Sequence, residues 1–283
     1  MLALDALVER VRTYQPAADV AIISKAYHFA ELAHGQQKRK SGDPYFIHPA
    51  SVAGIISDLK LDTASICAGL LHDVVEDTKA TLVDIDREFG SEITALVDGV
   101  TKLSKINFTS KEDRQAESFR KMVVAMSKDL RVLLVKICDR LDNMRTLEHM
   151  SPESQERIAR ETMEIYAPLT NRLGIHSLKS ELEDLSLQYL EPEAYREILG
   201  KLASSHKERE RYIDGVCRTL KQHLAEMGFA ADVHGRAKHI TSVFRKMKEQ
   251  QCDYDRVFDS LAFRICVESV TECYAALGCV HSK

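Results

Sequence analysis

The sequence lacks several patterns that would assign the protein to a class at once. Its seven cysteines include no Cys-x-x-Cys pair, which argues against a zinc finger or a disulfide framework and favours reduced thiols in a reducing compartment. No apolar run approaches the length of a membrane span, and the N-terminus resembles an amphipathic helix, not a signal peptide. The formal net charge of -4 offers no overall basic surface to nucleic acid. We expect a soluble, cytoplasmic protein that binds neither membranes nor nucleic acid directly.

The rest of the composition is typical of a globular, largely helical protein. With 283 residues, of which 45% are hydrophobic, the chain can bury a substantial core. Apolar residues recur at helical spacing, and capping residues mark several helix ends. These patterns predict helices over 17–34, 49–59 and 62–76, a capping box at Thr81 that opens a helix ending at Gly90, and a loop over 106–113 followed by another helix.

Residues 69–78 concentrate four ionisable side chains after an apolar run. At helical spacing, His72 lies one turn from Glu76, and Asp73 lies one turn from Asp77. Imidazole and carboxylate side by side can bind a divalent ion, and a second carboxylate pair can orient or deprotonate an attacking water. A solvated helix end with an incidental histidine is the alternative, so a metal site needs further ligands elsewhere in the chain.

A basic loop and a histidine precede this motif. Residues 36–44 lose helical periodicity and concentrate positive charge in Lys38, Arg39 and Lys40. Such a loop can hold phosphate groups, although loop cations are more often simply solvated. His48 follows shortly after, next to a proline at a predicted helix start. It is a candidate ligand, and a core histidine bonded to backbone is the alternative.

Residues 129–147 form the second informative stretch. The first half is nearly all apolar and therefore belongs to the interior. The second half carries a polar stripe at helical spacing, made of Asp139, Asp142, Asn143 and Thr146. Burying a carboxylate without a partner is costly, so this stripe should face a cation, a ligand or a wet cleft. Ordinary surface ion pairs between the aspartates and neighbouring arginines are the alternative.

These stretches together supply a set of candidate metal ligands on three separate helices. The set is His48, His72, Asp73 and Asp139. Two imidazoles and two carboxylates suit Mn(II), Zn(II) or Fe(II) better than Ca(II) or Mg(II), and they leave positions open for water and substrate. Because the basic loop ends shortly before His48, a phosphate ester is the favoured substrate class.

Long motifs run in order along most of the chain. They are His34-Gly-Gln-Gln-Lys38-Arg39-Lys40-Ser41-Gly-Asp-Pro-Tyr-Phe-Ile-His48-Pro, Leu71-His72-Asp73-Val-Val-Glu76-Asp77-Thr, Val97-Asp-Gly-Val-Thr-Lys-Leu103, Asp139-Arg-Leu-Asp142-Asn143-Met-Arg-Thr146-Leu and the segment 161–174. In these motifs the chain resembles the hydrolase region of the long RelA/SpoT homologues. The resemblance implies an all-helical HD-type phosphohydrolase domain that removes the 3′-pyrophosphate of ppGpp or pppGpp, gives GDP or GTP, uses Mn²⁺ and controls the stringent response.

The resemblance also implies a role for each matching residue. Metal ligation falls to His48, His72, Asp73 and Asp139, and the positioning and activation of water to Glu76 and Asp77. Substrate contacts fall to Arg39, which packs against guanine, to Lys40 and Ser41 beside it, and to Asn143 and Thr146 on the far wall.

Two positions depart from the family pattern. Asp142 stands where the family usually has histidine, and Cys138 where it usually has alanine. The extra carboxylate either tightens metal binding directly or sits behind a ligand and shifts the pH optimum, and the sequence leaves both possibilities open.

After about residue 228 the sequence pattern changes from helical to mixed helix and strand. A short strand is predicted over 229–233, a basic helix over 236–248 and a strand over 257–267. This part resembles the opening of the family's α+β, nucleotidyltransferase-like synthetase domain. The resemblance assigns ATP-side contacts to Arg236, Lys238, Ser242 and Lys246, and a Mg²⁺ carboxylate to Asp259. The family's guanine-stacking tyrosine and catalytic glutamate would follow Lys283, so we expect a vestigial site that does not synthesise the alarmone. Mg²⁺ binding is expected only in a complete synthetase domain, and ribosome contact only through missing C-terminal domains.

The predicted organisation has three parts. They are a hydrolase domain over 1–195, a helical connector over 196–228 and an incomplete synthetase domain over 229–283. The expected function is metal-dependent hydrolysis of (p)ppGpp. Two alternatives stay open, namely an HD phosphohydrolase acting on another nucleotide and a module that binds the alarmone without turnover.

Overall fold

The computed structural model describes residues 2–104, 129–204, 206–228, 230–257 and 261–282. The chain folds as two compact units, Met1–Ser186 and Leu187–Lys283. The loop predicted over 106–113 and the helix predicted after it lie outside the described residues. The domain limits proposed from the sequence stay predictions.

Apart from a β-bridge between Lys38 and Pro44, the regular secondary structure in the described residues of the first unit is helical. Its helices are α1 Leu4–Tyr14, α2 Val20–His34, α3 Ile47–Asp58, α4 Thr63–Leu71, α5 Val74–Asp77, α6 Leu82–Phe89, α7 Ser91–Ser104, α8 Leu130–Arg145, α9 Pro152–Glu161, α10 Ala167–Arg172 and α11 His176–Leu190, the last of which runs past the unit boundary. A short 3-10 turn, Leu147–His149, follows α8, and a π-helical turn, Thr162–Tyr166, joins α9 to α10.

Helix α4 is the centre of this unit. It packs against α2, α3, α7 and α8, and nearly all of its residues are buried. A helix that is apolar all round has to be surrounded by other elements, which explains why the run 64–71 lies in the core. The chain leaves α4 at His72, so the chemistry-bearing motif begins where the most buried helix ends.

Local signals in the sequence mark most helix ends. The Asp62 side chain caps α4 by accepting a hydrogen bond from the Ser65 amide, and Thr81 with Asp84 forms the predicted capping box of α6. The single helix predicted over 62–76 is wrong, because α4 stops at Leu71 and α5 begins at Val74. His72 explains the break, since its Nδ1 bonds the Gly69 carbonyl that would accept the Asp73 amide in a continuous helix.

The second unit combines helices with a small sheet. Its elements are α12 Pro192–Ser204, α13 His206–Glu226, β1 Asp232–Ala237, α14 Ile240–Gln250, β2 Leu261–Cys266 and α15 Val270–His281. The two strands pair antiparallel, with Arg236 opposite Ala262. A small core of Leu224, Val233, Ala276 and Cys279 joins α13, β1 and α15. The prediction of a mainly helical fold with a small α+β part near the C-terminus is confirmed.

Two boundaries in this unit differ from the prediction. The first strand runs over Asp232–Ala237, not 229–233, and Arg236 lies on that strand, whereas it was expected on the basic helix. Alternating burial around Val233 and pairing with β2 keep residues 232–237 extended, and the helix starts only at Ile240, after His239. Among the described residues, no helix has the length and apolar character needed to cross a membrane.

Candidate metal centre and adjoining cleft

Three helix segments bring the four predicted metal ligands together. His48 lies in the first turn of α3, His72 and Asp73 in the junction between α4 and α5, and Asp139 on α8. The Nε2 of His48 is 3.2 Å from Asp139 Oδ1 and 3.5 Å from Asp73 Oδ2. The Nε2 of His72 is 3.1 Å from Asp73 Oδ1. Ligand atoms of His48, His72 and Asp139 all lie within 4.8 Å of one another, and these three residues are buried.

The far nitrogens of both imidazoles are held by hydrogen bonds. His48 Nδ1 lies 2.6 Å from Asp142 Oδ2, and His72 Nδ1 lies 2.8 Å from the Gly69 carbonyl oxygen, so both Nε2 atoms point into the cluster. The His72 Nε2 is buried and makes no well-aligned hydrogen bond among the described residues, although Asp73 Oδ1 at 3.1 Å and Asp139 Oδ1 at 3.8 Å lie close enough for ion pairs. A divalent ion between this buried nitrogen and the two carboxylates would be coordinated by all three groups. The donor set therefore fits a divalent metal.

Opposite charges inside the cluster shift its pKa values. Burial alone would lower the pKa of His48, but hydrogen bonds to Asp139 and Asp142 and the nearby carboxylate charges outweigh it and raise that pKa to about 9. Burial would raise the pKa of Asp139, yet the Lys136 ammonium and the two imidazoles hold it well below its ordinary value. Without a metal, the imidazolium of His48 balances the buried carboxylates, so an incoming cation has to replace that proton.

Asp142 stands behind the ligands. Its Oδ2 accepts from the far nitrogen of His48, which faces away from the cluster, and also accepts from Arg39 Nη1 at 3.2 Å. This position favours the second of the two possibilities left open by the sequence, an outer carboxylate that orients a ligand. The alternative of surface ion pairs is excluded, because Asp139 and Asp142 are buried while Arg140 pairs with Glu161 and Arg145 with Glu181.

The candidate water-activating carboxylates lie at the edge of the cluster. Glu76 and Asp77 occupy the one-turn helix α5, and both are exposed. The backbone carbonyl of Asp73 accepts the amides of both residues, at 3.1 and 2.8 Å, which ties the turn to the ligand. The Asp77 side chain is further held by the Tyr45 hydroxyl at 2.7 Å. Burial, followed by the charge of Asp73, raises the pKa of Tyr45, so this hydroxyl stays protonated and acts as a donor.

The basic loop predicted over 36–44 folds as a short hairpin. The Tyr45 amide donates to the Gln37 carbonyl and the Arg39 amide to the Asp43 carbonyl, both at 2.9 Å. Gly42 turns the chain with a φ of 91°, a conformation that other residues rarely adopt. Lys40 and Ser41 lie at the tip, and the Arg39 side chain reaches back to α8.

A cleft of about 480 Å³ opens beside the cluster. All five residues predicted to contact substrate line it, together with one candidate ligand, namely Arg39, Lys40, Ser41, Asn143, Thr146 and Asp139. A hydrogen-bond chain joins its two walls, because Arg39 Nη2 donates to Asn143 Oδ1 at 3.2 Å and Asn143 Nδ2 donates to Asp139 Oδ1 at 2.6 Å. The basic hairpin and the polar stripe of α8 therefore line the same opening.

Comparison with known proteins agrees with this geometry. The family model described as HD domain matches residues 26–176, more than half of the chain, and the model described as a region found in RelA / SpoT proteins matches residues 235–283. The chain belongs to the RelA/SpoT family. The HD-domain match contains all four candidate ligands and the residues lining the cleft. A divalent metal site is therefore in keeping with both the fold and the donor set.

Individual relatives cover most of this RelA/SpoT chain. It is 52% identical over 96% of its length to a protein of Myxococcus xanthus named GTP pyrophosphokinase, and 49% identical over 94% to a protein of Synechocystis named probable guanosine-3′,5′-bis(diphosphate) 3′-pyrophosphohydrolase. The chain spans only 36% and 35% of those two proteins. A solved structure titled as a metazoan orthologue of SpoT that hydrolyzes ppGpp is 28% identical, covers 59% of this chain and 85% of its own, and has a TM-score of 0.40, too low to carry a structural argument.

The prediction from the sequence did not include several residues of this RelA/SpoT site. Tyr45, Lys136, Arg140 and Arg157 also line the cleft, and Lys136 Nζ lies 2.6 Å from Asp139 Oδ2. The spacing of three residues between Lys136 and Asp139 on α8 was a usable signal, because such residues share a helix face. Tyr45 lies three residues before His48, but its hydrogen-bond partners are Asp77 on α5 and Asp73 in the junction before α5. No local sequence pattern predicts these contacts.

The synthetase-like residues lie in the second unit. Arg236 is on β1, Lys238 follows that strand, and Ser242 and Lys246 are on α14. Asp259, the expected Mg²⁺ carboxylate, lies outside the residues that the structure describes. The vestigial synthetase site stays a prediction.

Proposed function

We propose that this chain hydrolyses the 3′-pyrophosphate of ppGpp and pppGpp, with Mn²⁺ as the metal ion, and thereby acts in the stringent response. One observation carries the proposal, namely that two buried imidazoles and the carboxylates of Asp73 and Asp139 lie beside a cleft that the basic hairpin also lines. The name of the Synechocystis relative supports the same reaction, although other relatives are named GTP pyrophosphokinase.

The cleft suits a guanine nucleotide that carries several phosphates. In the proposed complex, Arg39 packs against the guanine, with Lys40 and Ser41 beside it. Asn143 and Thr146 contact the nucleoside from α8. The Arg39 guanidinium is already held by hydrogen bonds to the α8 side chains, so little side-chain freedom is lost when the base stacks on it.

The reaction is the addition of water to the phosphorus joined to the ribose 3′-oxygen. The bond between that phosphorus and the 3′-oxygen breaks, the 3′-oxygen takes a proton from solvent, and the products are pyrophosphate and GDP or GTP with a 3′-hydroxyl. Glu76 and Asp77 orient the water and accept its proton, and because both are exposed they can pass it on to solvent. A divalent ion, when bound, lowers the pKa of the water and polarises the phosphoryl oxygen. Lys40 and Arg157 offset the negative charge of the phosphates.

Pyrophosphate release from ppGpp tests the proposal. The purified chain, loaded with Mn²⁺, should produce pyrophosphate and GDP in equal amounts, and EDTA should abolish the reaction until Mn²⁺ is added back. Glu76→Gln should lower kcat by about 10²- to 10⁴-fold, the range expected for loss of a general base. Glu9→Gln removes an exposed carboxylate on α1 and should leave kcat unchanged.

Two results would replace this proposal by its alternatives. If ppGpp stabilises the protein against heat but remains intact at saturating Mn²⁺, the chain is an alarmone-binding module without turnover. If another nucleotide is hydrolysed with a higher kcat/KM than ppGpp, the chain is an HD phosphohydrolase of different specificity, and Arg39 and Asn143 serve another base.

A further inference from the structure

The Tyr45 hydroxyl lies between two carboxylates that belong to different parts of the site. Its oxygen is 2.8 Å from Asp73 Oδ2 and 2.7 Å from Asp77 Oδ2. Asp73 is a candidate metal ligand, and Asp77 is a candidate water-activating group. Two carboxylates this close repel each other unless a donor or a cation lies between them. The phenol hydroxyl between them supplies such a donor without adding charge.

Tyr45 is itself held by a ring of contacts that returns to Asp77. Its aromatic ring stacks on the buried His34 ring, with centroids 4.7 Å apart and planes inclined by 25°. His34 Nδ1 donates to Gln37 Oε1 at 2.9 Å, and Gln37 Nε2 donates to the backbone carbonyl of Asp77 at 2.7 Å. The Tyr45 amide closes the ring through the Gln37 carbonyl. Both the side chain and the backbone of Asp77 are thus fixed from the same loop.

We propose that Tyr45 is a positioning residue that holds the Asp77 carboxylate beside the metal ligand Asp73, with His34 and Gln37 completing the support. The proposal rests on the hydrolase function proposed above. Asp77 needs such support because it is exposed and ends a helix of one turn, which by itself orders a side chain poorly. A general base must reach its water within about 3 Å, and an error of about 1 Å in placement costs on the order of 100-fold in rate.

The same contacts join substrate binding to catalysis. Gln37 and Tyr45 form the base of the hairpin that carries Arg39 towards the cleft. The element that meets the nucleotide is therefore the element that holds Asp77. The Tyr45 hydroxyl lies within hydrogen-bond distance of both carboxylates, so the geometry favours action through them over a direct contact with the nucleotide.

Tyr45→Phe tests the role of the hydroxyl, since it keeps the stacked ring. At saturating Mn²⁺ and ppGpp, kcat should fall about 10- to 100-fold while KM changes less than about twofold. Tyr14→Phe is the matched control, because it removes a half-buried hydroxyl that bonds the Leu61 carbonyl, and its kcat should equal that of the parent. If kcat of Tyr45→Phe returns to the parent value when Mn²⁺ is raised above the concentration that saturates the parent, the proposal is overturned, since Tyr45 would then serve only the metal ligand.

A double variant separates action through Asp77 from action elsewhere. If Tyr45 works by placing Asp77, Tyr45→Phe should cause no further loss in an Asp77→Asn background, whereas independent effects would multiply. Multiplying losses would refute the proposal.

Hydrogen exchange provides a readout that needs no activity. Amides of residues 74–80 should exchange faster in Tyr45→Phe than in the parent or Tyr14→Phe. If the parent hydrolyses no ppGpp, the proposed function fails, and the support of Asp77 is then decided by exchange alone. Equal exchange in all three proteins would overturn it.

Discussion

Replacing Asp142 by asparagine should weaken metal binding without touching a ligand. Asp142 and His48 are 5% and 3% exposed, and their bond of 2.6 Å is charge-assisted, so solvent screens it little. Asparagine keeps the size and one acceptor oxygen but removes the charge that makes His48 a better donor to the ion. Loss of such an outer partner costs about 10- to 100-fold in metal affinity, or about 1.4 to 2.7 kcal/mol.

Isothermal titration of the metal-free protein with Mn²⁺ under argon measures this loss. Asp142 also helps to raise the pKa of His48 to about 9, against the effect of burial. Its replacement therefore lowers that pKa and reduces the competition between the proton and the metal ion for His48. The loss in affinity should therefore be smaller near pH 7 than near pH 9. Asp58→Asn is the control, because Asp58 ends the same helix as His48 but pairs with Arg10 at the surface. Binding in Asp142→Asn within about twofold of the parent at both pH values would refute the reasoning.

Two further predictions concern the stability of the first unit. Because the pKa of His48 is raised from 6.5 to about 9, its contribution of up to about 3 kcal/mol is complete below pH 6.5 and disappears as the pH rises to about 9. Urea unfolding in the presence of EDTA should show this loss of stability with rising pH, and His48→Gln should abolish the pH dependence. A free energy of unfolding that rises with pH would contradict the argument. A Cβ added at Gly69 would overlap Cδ1 of Ile56, so Gly69→Ala should cost about 1–3 kcal/mol. Ile56→Val removes that methyl group, so the double variant should lose less than the sum of the single variants, and additive losses would contradict the packing argument.

The sequence anticipated features whose causes are local. The caps at Asp62 and Thr81 hold because a side chain there bonds an amide three residues ahead, and such a bond needs nothing from the rest of the fold. The polar stripe on α8 likewise follows from helical spacing. Where a side chain overrode the local pattern the prediction failed, as at His72, whose ring takes the Gly69 carbonyl and ends the helix.

Residue types and motif order also identified the family and supplied the candidate ligands, because imidazole and carboxylate are side chains that bind divalent ions. Only the tertiary structure decided what supports them. Asp142 meets His48 across 94 residues of sequence, and Tyr45 meets Asp77 across 32. Contacts at such separations depend on how α3 and α8 pack against α4 and how α5 packs against α2, and the sequence around each residue does not determine that packing.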